Sequence, residues 1–199
     1  YLALKQLGST YMQFIPIVER HAQTQSVTDF SIPSEGYGQF LVDVFHEWYA
    51  HDVGKIYVSQ FDNLLGQWLG YPSTTCVHQP TCGQSLVTEA NGDVYACDHF
   101  VYPEYKMGNL TQQPLTEIVL SNKQQQFGLE KSQKLTALCR RCEFRKLCYG
   151  GCPKHRFISL ENEPNPHNYL CASYRYFFEQ TASYMQAMAR QIRLHPSAA

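Results

Sequence analysis

The chain has 199 residues, 44% of them hydrophobic and 17% charged, with a formal net charge of −1. That composition is globular rather than disordered, and long enough for one sizeable core or two small ones. No Lys/Arg run and no stretch near the ~18 apolar residues of a membrane span is present, so neither a nucleic acid nor a membrane is expected as a partner.

In chain order, Tyr11 to Val18 is a nearly continuous apolar run, the pattern of a strand buried on both faces of a parallel sheet. A polar stretch follows from Glu19 to about Pro33. Ser34 is then placed to cap a helix carrying Phe40, Leu41, Val44, Phe45 and Trp48 at helical spacing. Lys55 to Val58 reads as a short strand and Phe61 to Leu69 as a second helix. Alternating strands and helices imply right-handed crossovers over a parallel sheet, which about 70 residues cannot close alone. This third of the chain therefore reads as the end of a larger α/β barrel or open sheet. The opening Tyr1-Leu2-Ala3-Leu4, with no initiator Met and no signal-peptide pattern, also reads as the start of a piece of a longer chain.

From Gly70 the texture changes. Leu86 to Tyr95 is the best hairpin signal, with Asn91-Gly92 supplying the positive φ values of a tight turn. Pro114 to Phe127 reads as one helix, and Cys139 to Cys152 as a cysteine-dense loop with Gly150-Gly151. A last helix from Tyr169 to about Arg193 carries Leu170, Tyr174, Phe177, Phe178, Met185 and Met188 on or near one face, a stripe for core packing.

All eight cysteines lie between Cys76 and Cys171. Their order is Cys76-x5-Cys82-x9-Gly92-x4-Cys97, then Cys139-x2-Cys142-x5-Cys148-x3-Cys152, then Cys171. The x2 and x3 spacings let neighbouring sulfurs converge on one centre, as thiolate ligation of soft metals requires. Eight thiols divide into two four-thiolate sites. Disulfides, two structural zinc sites and iron–sulfur clusters are all chemically possible, and spacing alone leaves zinc and iron–sulfur open. A four-cysteine cluster has no open iron, so it passes electrons or holds structure rather than binding a substrate.

This cysteine order, with its glycine, resembles the SPASM domain that follows the barrel in some radical SAM enzymes. The words around it are similar to those of anaerobic sulfatase-maturating enzymes: Gly92-Asp93-Val94-Tyr95-Ala96-Cys97-Asp98-His99-Phe100-Val101, Met107-Gly108-Asn109-Leu110 and Gly150-Gly151-Cys152-Pro153-Lys154-His155-Arg156. Upstream, Gln13-Phe14-Ile15-Pro16, Trp48-Tyr49 and Phe61-Asp62 are similar too. The resemblance implies an α+β chain: the end of a partial α/β radical SAM barrel over 1–70, then a small SPASM domain over 71–185 with a β-hairpin, cysteine-rich loops and a C-terminal helix, then a helix end and tail over 186–199. It also implies two [4Fe–4S] clusters, one on Cys76, Cys82, Cys97 and Cys152 and the other on Cys139, Cys142, Cys148 and Cys171. Zinc is the expected substitute in protein made in air.

Asp98 directly follows Cys97, and the resemblance implies that it is the general base of peptide oxidation. A carboxylate beside a buried anionic cluster is expected to have raised proton affinity; the plainer reading is a loop cap. His78, His99 and His155 are expected near the ligands or at the surface, and Lys154-His155-Arg156 as a solvated basic patch. The Cys-x3-Cys-x2-Cys motif that holds the family's S-adenosylmethionine-binding cluster is missing, and residues 1–75 hold no cysteine. S-adenosylmethionine and a third [4Fe–4S] are therefore expected only in a full-length enzyme, with Ile15 to Ile17 at most brushing the adenosyl group. The implied reaction oxidises a Cys or Ser of an unfolded sulfatase segment to Cα-formylglycine in the cytoplasm, with a flavodoxin- or ferredoxin-type electron carrier. Two other readings remain: a SPASM domain that serves different radical peptide chemistry, and a structural zinc module for protein binding.

Overall fold

A computed structural model describes residues 1–195. They divide into two units: Tyr1–Thr74 together with the stretch from Tyr169 onward, and Thr75–Asn168. The end of the tail expected over 186–199, residues 196–199, lies outside the described residues.

The first unit holds α1 (Leu2–Gln6), β1 (Tyr11–Met12), α2 (Gly36–His51), β2 (Tyr57–Val58), α3 (Ser59–Leu69) and α8 (Cys171–Leu194). β1 and β2 pair in parallel, Tyr11 with Tyr57 and Met12 with Val58, and α2 is the crossover between them. The expected strand over Tyr11–Val18 is thus cut to two residues and is not buried on both faces. Met12 and Val18 are buried, but Ile15 and Ile17 are 69% and 60% exposed. β2 runs straight into α3 at Ser59, so the pairing ends at Met12.

The core of this unit is aromatic. Phe45 packs edge-on against Phe61 and Phe177, and Trp48 packs on Phe45 and Phe61. The buried Trp48 indole also donates to the carbonyl of Ile56 at 2.7 Å, so it satisfies its one polar atom. From α8, Tyr174, Phe177, Phe178, Met185 and Met188 face inward, the stripe that the sequence predicts. Ser34 does not cap α2; Glu35 takes that position without a side-chain bond. The Ser34 carbonyl instead accepts the Ser173 hydroxyl at 2.6 Å, while Ser173 Oγ accepts the Gly38 N–H at 2.8 Å. A Cβ on Gly38 would stand 2.6 Å from the Ser173 carbonyl oxygen, so glycine here sets how closely α2 approaches α8.

The second unit contains the antiparallel sheet β3 (Val87–Thr88), β4 (Asp93–Tyr95) and β5 (Lys106–Asn109), then α4 (Leu115–Val119), α5 (Asn122–Gln133), α6 (Ala137–Arg141), α7 (Arg145–Cys148) and the pair β6 (Arg156–Ile158) with β7 (His167–Asn168). The β3–β4 hairpin forms where predicted, with a different turn. Only Gly92 has positive φ (84°), and the Gly92 N–H closes on the Glu89 carbonyl. A type I turn followed by a left-handed glycine, rather than a two-residue Asn-Gly turn, makes the connection. The single helix expected over Pro114–Phe127 is two. The break falls at Ser121, whose hydroxyl accepts the Gln124 N–H and starts α5 afresh. The cysteine-dense stretch is not all loop, because α6 and α7 wind one turn each around Cys139 and Cys148.

Candidate metal centre

All eight cysteines are free thiols; Cys76 is exposed and the rest are half-buried. Cys76 opens a 3₁₀ turn, Cys76–His78. Cys82 is held by its own N–H on the Gly128 carbonyl at 3.1 Å, and a Cβ on Gly128 would stand 2.6 Å from the Cys82 carbonyl oxygen. Cys97 follows the buried Ala96, just past β4. Cys152 precedes the 3₁₀ turn Pro153–His155, with Pro at its first position. Cys139 lies in α6, capped by Thr136. Cys142 follows α6, and Cys148 closes α7. Cys171 opens α8, in the other unit.

Electrostatics links Cys76, Cys82, Cys97 and Cys152. Burial pushes the Cys152 thiol up to about 11, with Cys82 and Cys76 adding to the shift. Burial pushes Cys97 up to about 12, helped by Asp98 and by Cys152. Cys82 is raised by burial and by Cys76. Thiols that discourage one another's ionisation need a cation to become thiolates together. Among the described residues no three His, Cys, Asp or Glu side chains are grouped closely enough for a single metal ion. A cubane holds its four thiolates further apart than one ion does, and a chain of sulfurs from Cys97 through Cys152 to Cys82 and Cys76 suits that donor set.

Asp98 is exposed, and its Oδ1 accepts from the Cys97 thiol and from the His99 N–H, each at 3.0 Å. The thiol holds its carboxyl below the usual range, opposite to the raised affinity expected beside an anionic cluster. The donor responsible is the S–H proton, which a metal-bound thiolate no longer has. His99 Nδ1 lies 3.5 Å from Cys152 Sγ, and His78, lowered to about 4 chiefly by burial, follows Cys76 by two residues.

The solvated basic patch is a misreading beyond Lys154. His155 is buried, and Arg156 donates to the carbonyls of Lys131, Tyr149, Gly150 and Gly151. Sequence reasoning also missed Lys131, which is 1% exposed and donates to the Cys76 and Val77 carbonyls. Its only signal is that the inward positions of α5, Gln124, Gly128 and Lys131, are not apolar. Thr136 and His167 were missed as well: both are buried, with Thr136 Oγ1 3.1 Å from His167 Nδ1, which is itself 3.7 Å from Cys139 Sγ.

Residues 76–143 match the SPASM family of iron–sulfur cluster-binding domains. The chain is 40% identical to a serine-type anaerobic sulfatase-maturating enzyme of Bacteroides thetaiotaomicron, over 96% of this chain and 50% of that one. It is 30% identical to a cysteine-type enzyme of the same kind from Clostridium perfringens, over 97% of this chain and 52% of that one. Among solved structures it matches "Native anSMEcpe with bound AdoMet and Cp18Cys peptide" with a TM-score of 0.83 and 30% identity, covering 96% of this chain and 53% of that one. The chain thus spans about half the length of the curated relatives it matches. No helix among the described residues is long and apolar enough to cross a membrane.

Proposed function

We propose, on the premise that this chain carries a SPASM iron–sulfur domain and is related over nearly its whole length to anaerobic sulfatase-maturating enzymes, that it is the auxiliary-cluster half of a radical SAM enzyme making Cα-formylglycine. The observation that carries the reading is the full set of eight free thiols within and beyond the matched domain. In this reading Cys76, Cys82, Cys97 and Cys152 hold one [4Fe–4S] cluster. Cys139, Cys142, Cys148 and Cys171 hold the other, with Cys171 assigned from the family resemblance alone. When bound, the two clusters supply a path for the electron that leaves the oxidised side chain.

The chain's own part is proton handling and ligand placement. Asp98 is exposed and fixed through Oδ1, so its carboxylate is available to take the proton of a substrate Cys thiol or Ser hydroxyl. Thr136, His167 and Arg156 orient the backbone from which Cys139, Cys148 and Cys152 project. The expected boundaries, 1–70, 71–185 and 186–199, belong to this reading, with the matched residues 76–143 inside the second. So do an unfolded sulfatase peptide as substrate, S-adenosylmethionine and a third cluster elsewhere in the full enzyme, a flavodoxin- or ferredoxin-type carrier, and the cytoplasm.

The test is mass spectrometry of Cys- and Ser-containing sulfatase peptides after reaction with the whole enzyme. Asp98→Asn is expected to cut formylglycine yield at least tenfold while iron content stays at wild-type level; an unchanged yield removes Asp98 from the reaction. A crosslinked or epimerised peptide as the product would favour other SPASM chemistry. Colourless protein holding two zinc ions after strictly anaerobic preparation would favour the structural module.

A further inference from the structure

Cys148 and Cys152 belong to different ligand sets, and only Tyr149, Gly150 and Gly151 separate them. These three have φ values of 48, 72 and 63°, three left-handed residues in succession. The turn presents its carbonyls to one side chain. Arg156 Nη2 donates to Tyr149 at 2.8 Å and to Gly151 at 3.3 Å, and Nε donates to Gly150 at 3.1 Å. Nη1 reaches the Lys131 carbonyl at 2.6 Å. A Cβ on Gly150 would stand 2.8 Å from Arg156 Nη2 and 2.5 Å from Leu135 Cδ2, so the turn closes over the guanidinium only with glycine there.

Lys131 sits on the other side of the same carbonyl link. Its ammonium is buried, and its hydrogen-bond partners among the described residues are the neutral Cys76 and Val77 carbonyls, a costly arrangement unless an anion is near. Burial disfavours its charge, and thiolates at Cys82, Cys152 and Cys76 would favour it. Burial likewise disfavours the Arg156 charge, and thiolates at Cys139, Cys82, Cys148 and Cys152, drawn from both sets, would favour it.

We propose that Lys131 and Arg156 are the built-in countercharge of the cluster ligands, Lys131 for the set Cys76, Cys82, Cys97 and Cys152, and Arg156 for both sets through the turn that joins them. The inference rests on the cluster reading above. It makes both side chains positioning residues that set reduction potential. Adding one electron from an external reductant such as dithionite takes a cubane with its four thiolates from a net charge of about −2 to about −3, with no bond made or broken. A fixed positive charge nearby favours the more negative form and so raises the potential.

The experiment is an EPR-followed dithionite titration of the whole protein, prepared anaerobically, with iron and sulfide assayed on every sample. Lys131→Met is expected to move one auxiliary signal to lower potential and leave the other in place. Arg156→Gln is expected to lower both. Lys131→Arg keeps the charge and is expected to restore the wild-type potential and iron content; this variant decides the matter if Lys131→Met fails to retain iron. Unmoved potentials at wild-type iron content overturn the inference, as does a Lys131→Arg protein as defective as Lys131→Met. Wild-type protein without iron removes the cluster reading itself, whereas iron-loaded protein with unmoved potentials removes only the countercharge.

Discussion

The two units are held by different means. In the first, three helices close on Phe45, Trp48, Phe61 and Phe177, and the strand pair adds Met12 and Val58, so apolar burial and ring packing dominate. In Thr75–Asn168 the buried apolar side chains among the described residues are Val94, Ala96, Ile118 and Leu135. Its order comes instead from charged and polar side chains that hold backbone carbonyls. Arg156 takes four, Lys131 two, and Gln124 reaches those of Gly83 and Ala96. Asn109 spans the hairpin, donating to Asp93 Oδ1 at 2.7 Å and to the Asn91 carbonyl at 3.1 Å. In a unit with so small an apolar core, metal binding and folding are expected to be coupled.

That difference is tested most severely by removing iron. Chelation under reducing, anaerobic conditions is expected to abolish hydrogen-exchange protection across Thr75–Asn168 while the amides of α2, α3 and the middle of α8 stay protected. Equal loss in both units, or none in the second, breaks the comparison. The converse experiment attacks the aromatic core. Phe45→Ala is expected to cost about 3–5 kcal/mol, because Phe45 is fully buried and touches rings from its own helix, α3 and α8. Denaturant melting followed by Trp fluorescence reads that loss, and iron content at unchanged temperature is expected to hold. A milder probe of the second unit is Gly150→Ala. The new methyl meets Leu135 and Arg156 in a left-handed turn, at a cost of about 1–3 kcal/mol. The readout is the thermal transition of iron-loaded protein; a shift within error would mean that the turn accommodates a side chain.

The same contrast explains which parts were legible in the sequence. Apolar spacing locates α2, α3 and α8 because the first unit is built by apolar burial. The thiol spacing, with Gly92 and Asp98, locates the candidate centre because soft-metal ligation constrains residue type and order. What was illegible follows from the second unit's mode of assembly. A buried Lys131 and a carbonyl-clasping Arg156 look in sequence like ordinary surface charges, since burial of a cation leaves no periodic trace. The helix break at Ser121 had a local signal, a serine three residues before Gln124. Hydrophobicity alone predicts a strand over Tyr11–Val18, but its partner β2 gives way to α3 at Ser59, which limits pairing to two residues and leaves Ile15 and Ile17 exposed.

The smallest expected effect concerns an ion pair in the first unit that is anchored in a buried carboxylate. Lys5 Nζ lies 2.7 Å from Asp52 Oδ2, and the Tyr1 hydroxyl donates to the same oxygen at 2.6 Å. Burial disfavours the Asp52 carboxylate, but the bonds from Lys5 and Tyr1, with the Lys5 and His51 charges, outweigh it and hold its pKa below the usual range. A depressed carboxyl pKa means that the folded state binds its proton later than the unfolded state. The stabilisation is therefore complete above the ordinary aspartate value of about 4 and is lost as pH falls through the lower folded value. Lys5 is one-third exposed, so solvent screens much of the pair. Asp52→Asn is thus expected to leave the first unit's melting only slightly lowered at pH 7 and to flatten its fall below pH 4. An acid limb identical in wild type and Asp52→Asn would show that other carboxylates govern it.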